Sequence, residues 1–185
     1  PRGPHVAVIS NSGSPATLAR AALETAGLTP VEARERLDYR SGAADFARVV
    51  RGAVADDDVD AVLVIHAPPM AGAVALPVAE LDEAASGAAK PVVAVLLGAP
   101  DGPLRPGSPV PAFAFPESAV TVLGRAYAYH RWLESEAAAE PEPIPDIDAT
   151  GAETIIAAAL DAGRSEWAVL DTAKLLDTYG SPTPT

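Results

Sequence analysis

The residues best placed to do chemistry are Ser10-Asn11-Ser12-Gly13-Ser14. They follow an apolar run, His5 to Ile9, that reads as a buried strand. They precede Pro15 to Ala26, whose pattern predicts a helix closed by Gly27. A strand that enters a helix through a Gly/Ser turn leaves unpaired backbone N–H groups at the helix start. Those donors and the helix dipole favour an anion. On one reading, Gly13 lets the backbone approach an oxyanion, and the N–H groups of Ser12 to Ala16 bind phosphate together with the hydroxyls. On the other, Ser12 or Ser14 caps the helix and Gly13 makes the turn. The stretch has neither the Gly-Lys-Ser/Thr of a phosphate loop nor a dinucleotide fingerprint. Pro15 is tolerated at a helix start, where an N–H would be unpaired anyway.

A second candidate is His66, in His-Ala-Pro-Pro-Met after the run Asp60 to Ile65. At the carboxyl end of a strand a histidine serves as a general base or a phosphate ligand, or as a hydrogen-bonded loop residue. Pro68 and Pro69 stiffen the segment, so Asn11, His66, Pro68 and Pro69 are read as a pocket rim. His5 opens the first strand as another rim residue. Tyr129 and Trp132 share a helix face with Tyr127 and His130 nearby, and packing against the sheet or a linker is their expected role. Asp56-Asp57-Asp58 is read as a solvated turn, because contiguous acids do not converge on a metal. No metal ligand set and no catalytic residue is assigned. Gly-x-Ser-x-Gly is absent, and the first strand ends without the acidic pair of a phosphoacceptor receiver.

The net charge is −12, from 13 basic and 25 acidic residues, which argues against nucleic acid or an anionic membrane as partner. A phosphate handled by so acidic a chain needs backbone donors. Cysteine is absent, so disulfides, thiolate metal sites and cysteine nucleophiles are excluded. No apolar run approaches the roughly 20 residues of a membrane span. The composition suits a soluble cytoplasmic protein. The opening Pro-Arg-Gly-Pro, without Met or a signal-peptide pattern, points to a piece cut from a longer chain.

These residues must be positioned by the rest of the chain. Leu28 to Val31 reads as an edge strand that tolerates Pro30. Ala43 to Ala55 carries Phe46, Val49, Val50 and Val54 at helical spacing. Asp60 to Ile65 and Pro91 to Leu97 are unbroken apolar runs, the mark of strands buried on both faces. Ala73 to Ser86 is the helix between them, with Pro77 near its first turn. Val110 to Phe115 is a fifth strand. Pro116 to Glu136 is a long helix that starts on Pro and Glu. This alternation predicts an α/β fold: a flavodoxin-like, doubly wound, parallel five-stranded sheet with helices on both faces. Ligands of such sheets sit at the carboxyl edge, here Ser10 to Ser14, His66 to Met70 and Gly98 to Gly102. Residues 134–149 form an acidic, Pro-rich linker. Thr150 to Ala162 and Ala168 to Tyr179 are two short helices, with Gly180 as a C-cap and a frayed end beyond.

Taken in order, VAVISNSGSPATLARAALETAGL, DDDVDAVLVIHAPP, KPVVAVLLG, VPAFAFPESAVTVLGRAYAYHRWL and AAALDAGRSEWAVLDTAKLLDTYGSPTP resemble one module of the NDP-forming acyl-CoA synthetases, relatives of succinyl-CoA synthetase. The resemblance spans nearly the whole chain. It implies a succinyl-CoA-synthetase-like flavodoxin domain over 1–133, the linker 134–149, and the helical start of an ATP-grasp domain over 150–185. In Ala-rich sequences of this kind the same array is often fused to a GNAT-type acetyltransferase. The family works through a phosphohistidine on a swinging segment of a sister domain, so that role does not fall on His66. This module supplies a helix N-terminus that faces the phosphohistidine, here the helix starting at Ser14 to Ala16 after Ser12-Gly13. Such a terminus stabilises a phosphoryl group by roughly 1–2 kcal/mol. CoA, ATP or ADP and magnesium are implied for the full-length enzyme, and no cofactor for this stretch. The expected partners are sister domains of the same polypeptide and a possible second copy; ligase activity is not expected of the stretch alone. Two departures carry a second expectation. Ser14-Pro15 stands where the family has a further Gly. A shortened Glu35-Arg36-Leu37-Asp38 replaces a longer segment ending in Asn-Pro-x-Asp. They fit a regulatory or scaffold domain that kept the fold and lost the chemistry. A flavin carrier is the third and weakest reading.

Overall fold

The computed structural model describes residues 1–68, 78–138, 147–163 and 169–181. In chain order the elements are β1 (His5–Ser10), α1 (Gly13–Thr25), β2 (Thr29–Glu32), α2 (Ala43–Ala55), β3 (Ala61–His66), α3 (Val78–Ala85), β4 (Val92–Leu96), β5 (Gly102–Pro103), β6 (Pro111–Phe113), α4 (Pro116–Ala138), α5 (Ala149–Asp161) and α6 (Val169–Thr178). The strands form one sheet in the order β2-β1-β3-β4-β6-β5. The pairs β2–β1, β1–β3, β3–β4 and β4–β6 are parallel. That is the flavodoxin-like doubly wound arrangement expected, with β6 as the fifth parallel strand.

Both faces of the sheet are covered, as the unbroken apolar runs require. Ala7, Ile9, Val62, Val64, Val92 and Ala94 point into a core with α2 and α3. Val6, Val8, Leu63, Ile65, Val93 and Val95 point the other way, into a core with α1 and α4. Phe46, Val49 and Val50 of α2 are buried, and Val54 packs partly against them, which accounts for the helical spacing read from sequence. β2 is the edge strand and pairs only with β1, so Pro30 removes no ladder bond from the sheet interior.

The turn after α1 shows how local sequence fixes an entry angle. Gly27 takes φ 74°, the left-handed region. Its N–H donates to the carbonyl of Glu24 at 3.1 Å, and that of Leu28 donates to Leu23 at 2.9 Å. Leu23 and Leu28 are buried in the same cluster. This is a Schellman close, and it aims the chain directly into β2.

Several expectations are corrected. The sheet has six strands, because Gly102–Pro103 adds an antiparallel edge strand against β6. Its hairpin is anchored by buried Asp82 of α3, which accepts hydrogen bonds from Ser108 Oγ and, at 2.7 Å, Arg105 Nε. Those bonds hold the Asp82 carboxyl below the usual carboxylate range. Helix α4 runs on through Ala138, so the first residues of the 134–149 segment are helical rather than extended. Asp56 is not simply solvated: its side chain is only 14% exposed and pairs with Arg34 Nε at 2.8 Å. Tyr129 and Trp132 are 60% and 53% exposed and do not pack on the sheet. They stack on each other, ring centroids 5.7 Å apart. Residues 73–77 of the expected third helix, most of the Pro-rich linker and the last four residues lie outside the described residues.

Residues 139–185 form a second unit. In it Asp148 caps α5 by accepting from the Gly151 N–H at 2.9 Å, and its own N–H donates to the Thr178 carbonyl at 2.8 Å. Gly180, φ 68°, closes α6 as expected. Among the described residues no helix is long and apolar enough to cross a membrane.

Phe46 is fully buried and touches both α2's own core and the end of β3. Phe46→Ala should cost about 3–5 kcal/mol, read as the drop in unfolding free energy in a urea titration. A cost below 1 kcal/mol would mean that this layer is loosely packed.

Candidate functional site

Parallel pairing brings the carboxyl ends of β1, β3 and β4 together, with Ser10 opposite Ile65 and His66 opposite Leu96. The Ser10 side chain folds onto the turn. Its Oγ accepts from the Ser12 N–H at 3.1 Å and donates to the Ser12 carbonyl at 2.9 Å. Ser12 is the N-cap of α1, with extended backbone (φ −140°, ψ 134°), and its side chain makes no capping bond. Gly13 is the first helical residue. Its φ is not positive, and a Cβ built on it would meet nothing within 4 Å. The backbone therefore has no need of glycine here; what glycine contributes is open space in front of the helix.

These bonds define the donors. The Ser12 N–H is taken by Ser10, and Pro15 has none. Gly13 and Ser14 are left with N–H groups at the mouth of α1 that no protein group accepts. The mouth opens on a cleft of about 280 Å3 lined by Ser10, Ser12, Gly13, Ala16 and Arg20 on one side, and by Glu32, Ala33, Glu35, Arg36 and Leu37 on the other. The side chain of Ser14 is exposed and lies outside the cleft lining. Arg20 enters because Gly13, Ala16 and Arg20 recur at i, i+3 and i+7, one face of a helix. It pairs with Glu32 at 3.5 Å, and Arg36 pairs with the other oxygen of Glu32 at 3.2 Å. Glu35 pairs with Arg48. The cleft wall is thus close to neutral, and the positive element facing it is the helix end.

Of the expected rim residues, those described are not in the lining of this cleft. Asn11 is buried and spans the tips of β1 and β3. Its Nδ2 donates to the Ala67 carbonyl and its Oδ1 accepts from the Ala67 N–H, both at 2.8 Å. His66 is the last residue of β3 and is 1% exposed. Its ring lies on the α2 side, tilted 58° to the Phe46 ring at 5.5 Å, and its Nδ1 has no hydrogen-bond partner. Burial pushes its pKa down. His66 is therefore a neutral core residue, neither a hydrogen-bonded loop residue nor a group at the cleft. Pro68 is exposed and away from the cleft lining, and Pro69 lies outside the described residues. His5, the other rim candidate, pairs with Asp60 at the opposite end of β1. Among the described residues no group of three or more His, Asp or Glu side chains is placed to hold a metal ion.

Comparison with known proteins adds the fold. No family model matches the chain, and no curated protein matches it. Among solved structures it is similar to the crystal structure of PH0766 from Pyrococcus horikoshii OT3, with a TM-score of 0.58 and 19% sequence identity. The match covers 71% of this chain and 37% of that one, so the chain spans a little over a third of that protein's length. At this identity the likeness is one of fold.

The burial of His66 has a measurable consequence. The folded state holds this imidazole neutral with a pKa below the ordinary 6.5, so between those two values the unfolded chain binds the extra proton. Its contribution to stability is complete above pH 6.5 and declines as pH falls through that window. The unfolding free energy of wild type relative to His66→Leu, measured from pH 7.5 to 5, should fall toward the acid side. A constant difference across that range would show that His66 titrates alike in both states.

Proposed function

We propose that this chain is a module of an NDP-forming acyl-CoA ligase, or of a ligase-like acetyltransferase. Its part is to present the α1 N-terminus to a phosphohistidine carried by a sister domain. The observation that carries the reading is the pair of unengaged N–H groups on Gly13 and Ser14, at a helix start with no side-chain cap and no Cβ in front of it. A Ser12 or Asp cap would have consumed such donors. In a chain of net charge −12, an anion is best held by fixed dipoles, which add no mobile counter-charge. The fold likeness to PH0766 agrees with the α/β fold that the resemblance implies.

In this reading the residues of the chain bind and orient; none of them reacts. The two amides and the Ser12 hydroxyl would meet the phosphoryl oxygens, and Arg20 would steer the group into the cleft. CoA, nucleotide and magnesium belong to the sister domains, where they supply acyl transfer and phosphoryl exchange. A second reading is favoured by one specific feature. Pro15 removes a donor from the first turn, and Glu32 already satisfies both Arg20 and Arg36. A site so neutralised suits a regulatory or scaffold domain of an acetyltransferase fusion that binds a small anion or a partner domain weakly.

The whole protein that contains this chain tests the two. On the first reading it forms ATP from ADP, phosphate and acyl-CoA, and the chain alone does not. Gly13→Val, which places a branched side chain before the two amides, should then lower turnover at least about tenfold, the equivalent of about 1.4 kcal/mol. Its folding should be unaffected, because the Cβ position is open. Absence of ATP formation with the swinging histidine intact would select the second reading.

A further inference from the structure

On α4, Val122, Ala126, Tyr129 and Leu133 recur at i, i+4, i+7 and i+11, and all four are exposed. This stripe lies about a quarter turn from Ala119, Val120 and Leu123, the face that the helix buries against the sheet. Trp132 extends it, stacked on Tyr129. From residue 131 to 135 every residue of the helix is exposed, so this part stands clear of the sheet. The middle of the stripe is different. Val122 and Ala126 form one wall of an apolar hollow of about 440 Å3 whose other walls are Pro91, Pro109 and Val110. It lies beside the amino ends of β4 and β6, at the opposite end of the sheet from the α1 cleft.

One helix therefore carries a hollow at Val122 and Ala126 and projecting side chains at Tyr129 and Leu133, seven residues or about 10 Å further on. A two-fold axis perpendicular to α4 near Tyr129 lays the projection of one copy over the hollow of another, and the reverse. A self-complementary patch of this kind is what an isologous interface needs. Charge agrees with it. Arg125 is exposed and forms no ion pair among the described residues. It lies on the same flank as Trp132, seven positions away. In an antiparallel helix pair, like flanks meet, so the guanidinium of each copy comes over the indole of the other.

We propose that two copies of this chain associate through antiparallel pairing of their α4 helices. Leu133 of each copy covers the Val122–Ala126 hollow of the other, the two Tyr129 side chains meet at the axis, and Trp132 lies over Arg125. This surface is distinct from the α1 cleft and does not depend on its reading.

Sedimentation velocity on the 185-residue chain tests it. The mass should rise from 18.8 kDa to twice that value as concentration increases. Leu133→Asp should weaken association at least about tenfold and leave the circular dichroism spectrum unchanged. The absence of cysteine allows a geometric test. Tyr129→Cys places two thiols beside the two-fold axis and should give a reducible cross-linked dimer. Val122→Cys places them about 21 Å apart and should not. A chain that stays at 18.8 kDa at every concentration overturns the proposal. So does equal cross-linking at the two positions, which would indicate parallel or random encounter, and so does a Leu133→Asp variant that dimerises like wild type.

Discussion

The two-sided burial of β3 is the constraint from which the arrangement of the first unit follows. All six of its side chains are buried: Val62, Val64 and His66 on the α2 side, Ala61, Leu63 and Ile65 on the α1 side. A strand like this cannot sit at an edge, and each of its faces needs a helix layer. The chain covers the faces with α1, α2 and α3, which cross over between parallel strands, and with α4, which follows β6. β1 goes beside β3 on one flank and β4 on the other. The carboxyl ends of the three then align, and whatever follows each strand is gathered at one edge.

Much of that was legible. The unbroken runs Asp60 to Ile65 and Pro91 to Leu97 lack alternation, and only two-sided burial tolerates this in a strand. The spacing of Phe46, Val49 and Val50 placed the α2 face correctly, and Gly27 marked the end of α1. What stayed hidden depends on partners distant in sequence. β5 is a Gly-Pro dipeptide with no strand propensity, and the hairpin around it is anchored by Asp82 twenty or more residues away. The end of α4 is blurred in the sequence because Glu134 and its neighbours carry the charge of a linker. They are helix formers, and the helix continues past them.

The candidate site divides in the same way. The Ser/Gly turn, the strand before it and the helix after it are local, and so were visible. Which hydroxyl would be used was not: Ser10 engages Ser12, and the N-cap side chain is left without a backbone partner. Arg20 was signalled by its i+7 relation to Gly13, a regularity that draws little notice in a run of alanines. Glu32 and Arg36 reach the cleft only because β2 pairs with β1, which no local pattern encodes. His66 is the instructive misreading. Its place at the end of a strand suggested an edge group, but side-chain alternation along β3 turns the ring inward, under Phe46.

The Asn11 clamp gives this architecture a particular character. In doubly wound sheets the seam between β1 and β3 is where the crossovers diverge, and the divergence leaves a natural slot for a flat ring or a nucleotide. Here an amide spans the seam with two hydrogen bonds to Ala67 and closes it with the protein's own atoms. A flat ring placed in this seam would have to displace both bonds and leave the part-buried carbonyl and N–H of Ala67 without those partners, at a cost of about 1–3 kcal/mol. The open space at this edge lies instead on the flank, where α1 meets the end of β2. The edge thus has a bridged seam and an open flank, and a group that approached it would meet the start of α1 before the centre of the sheet.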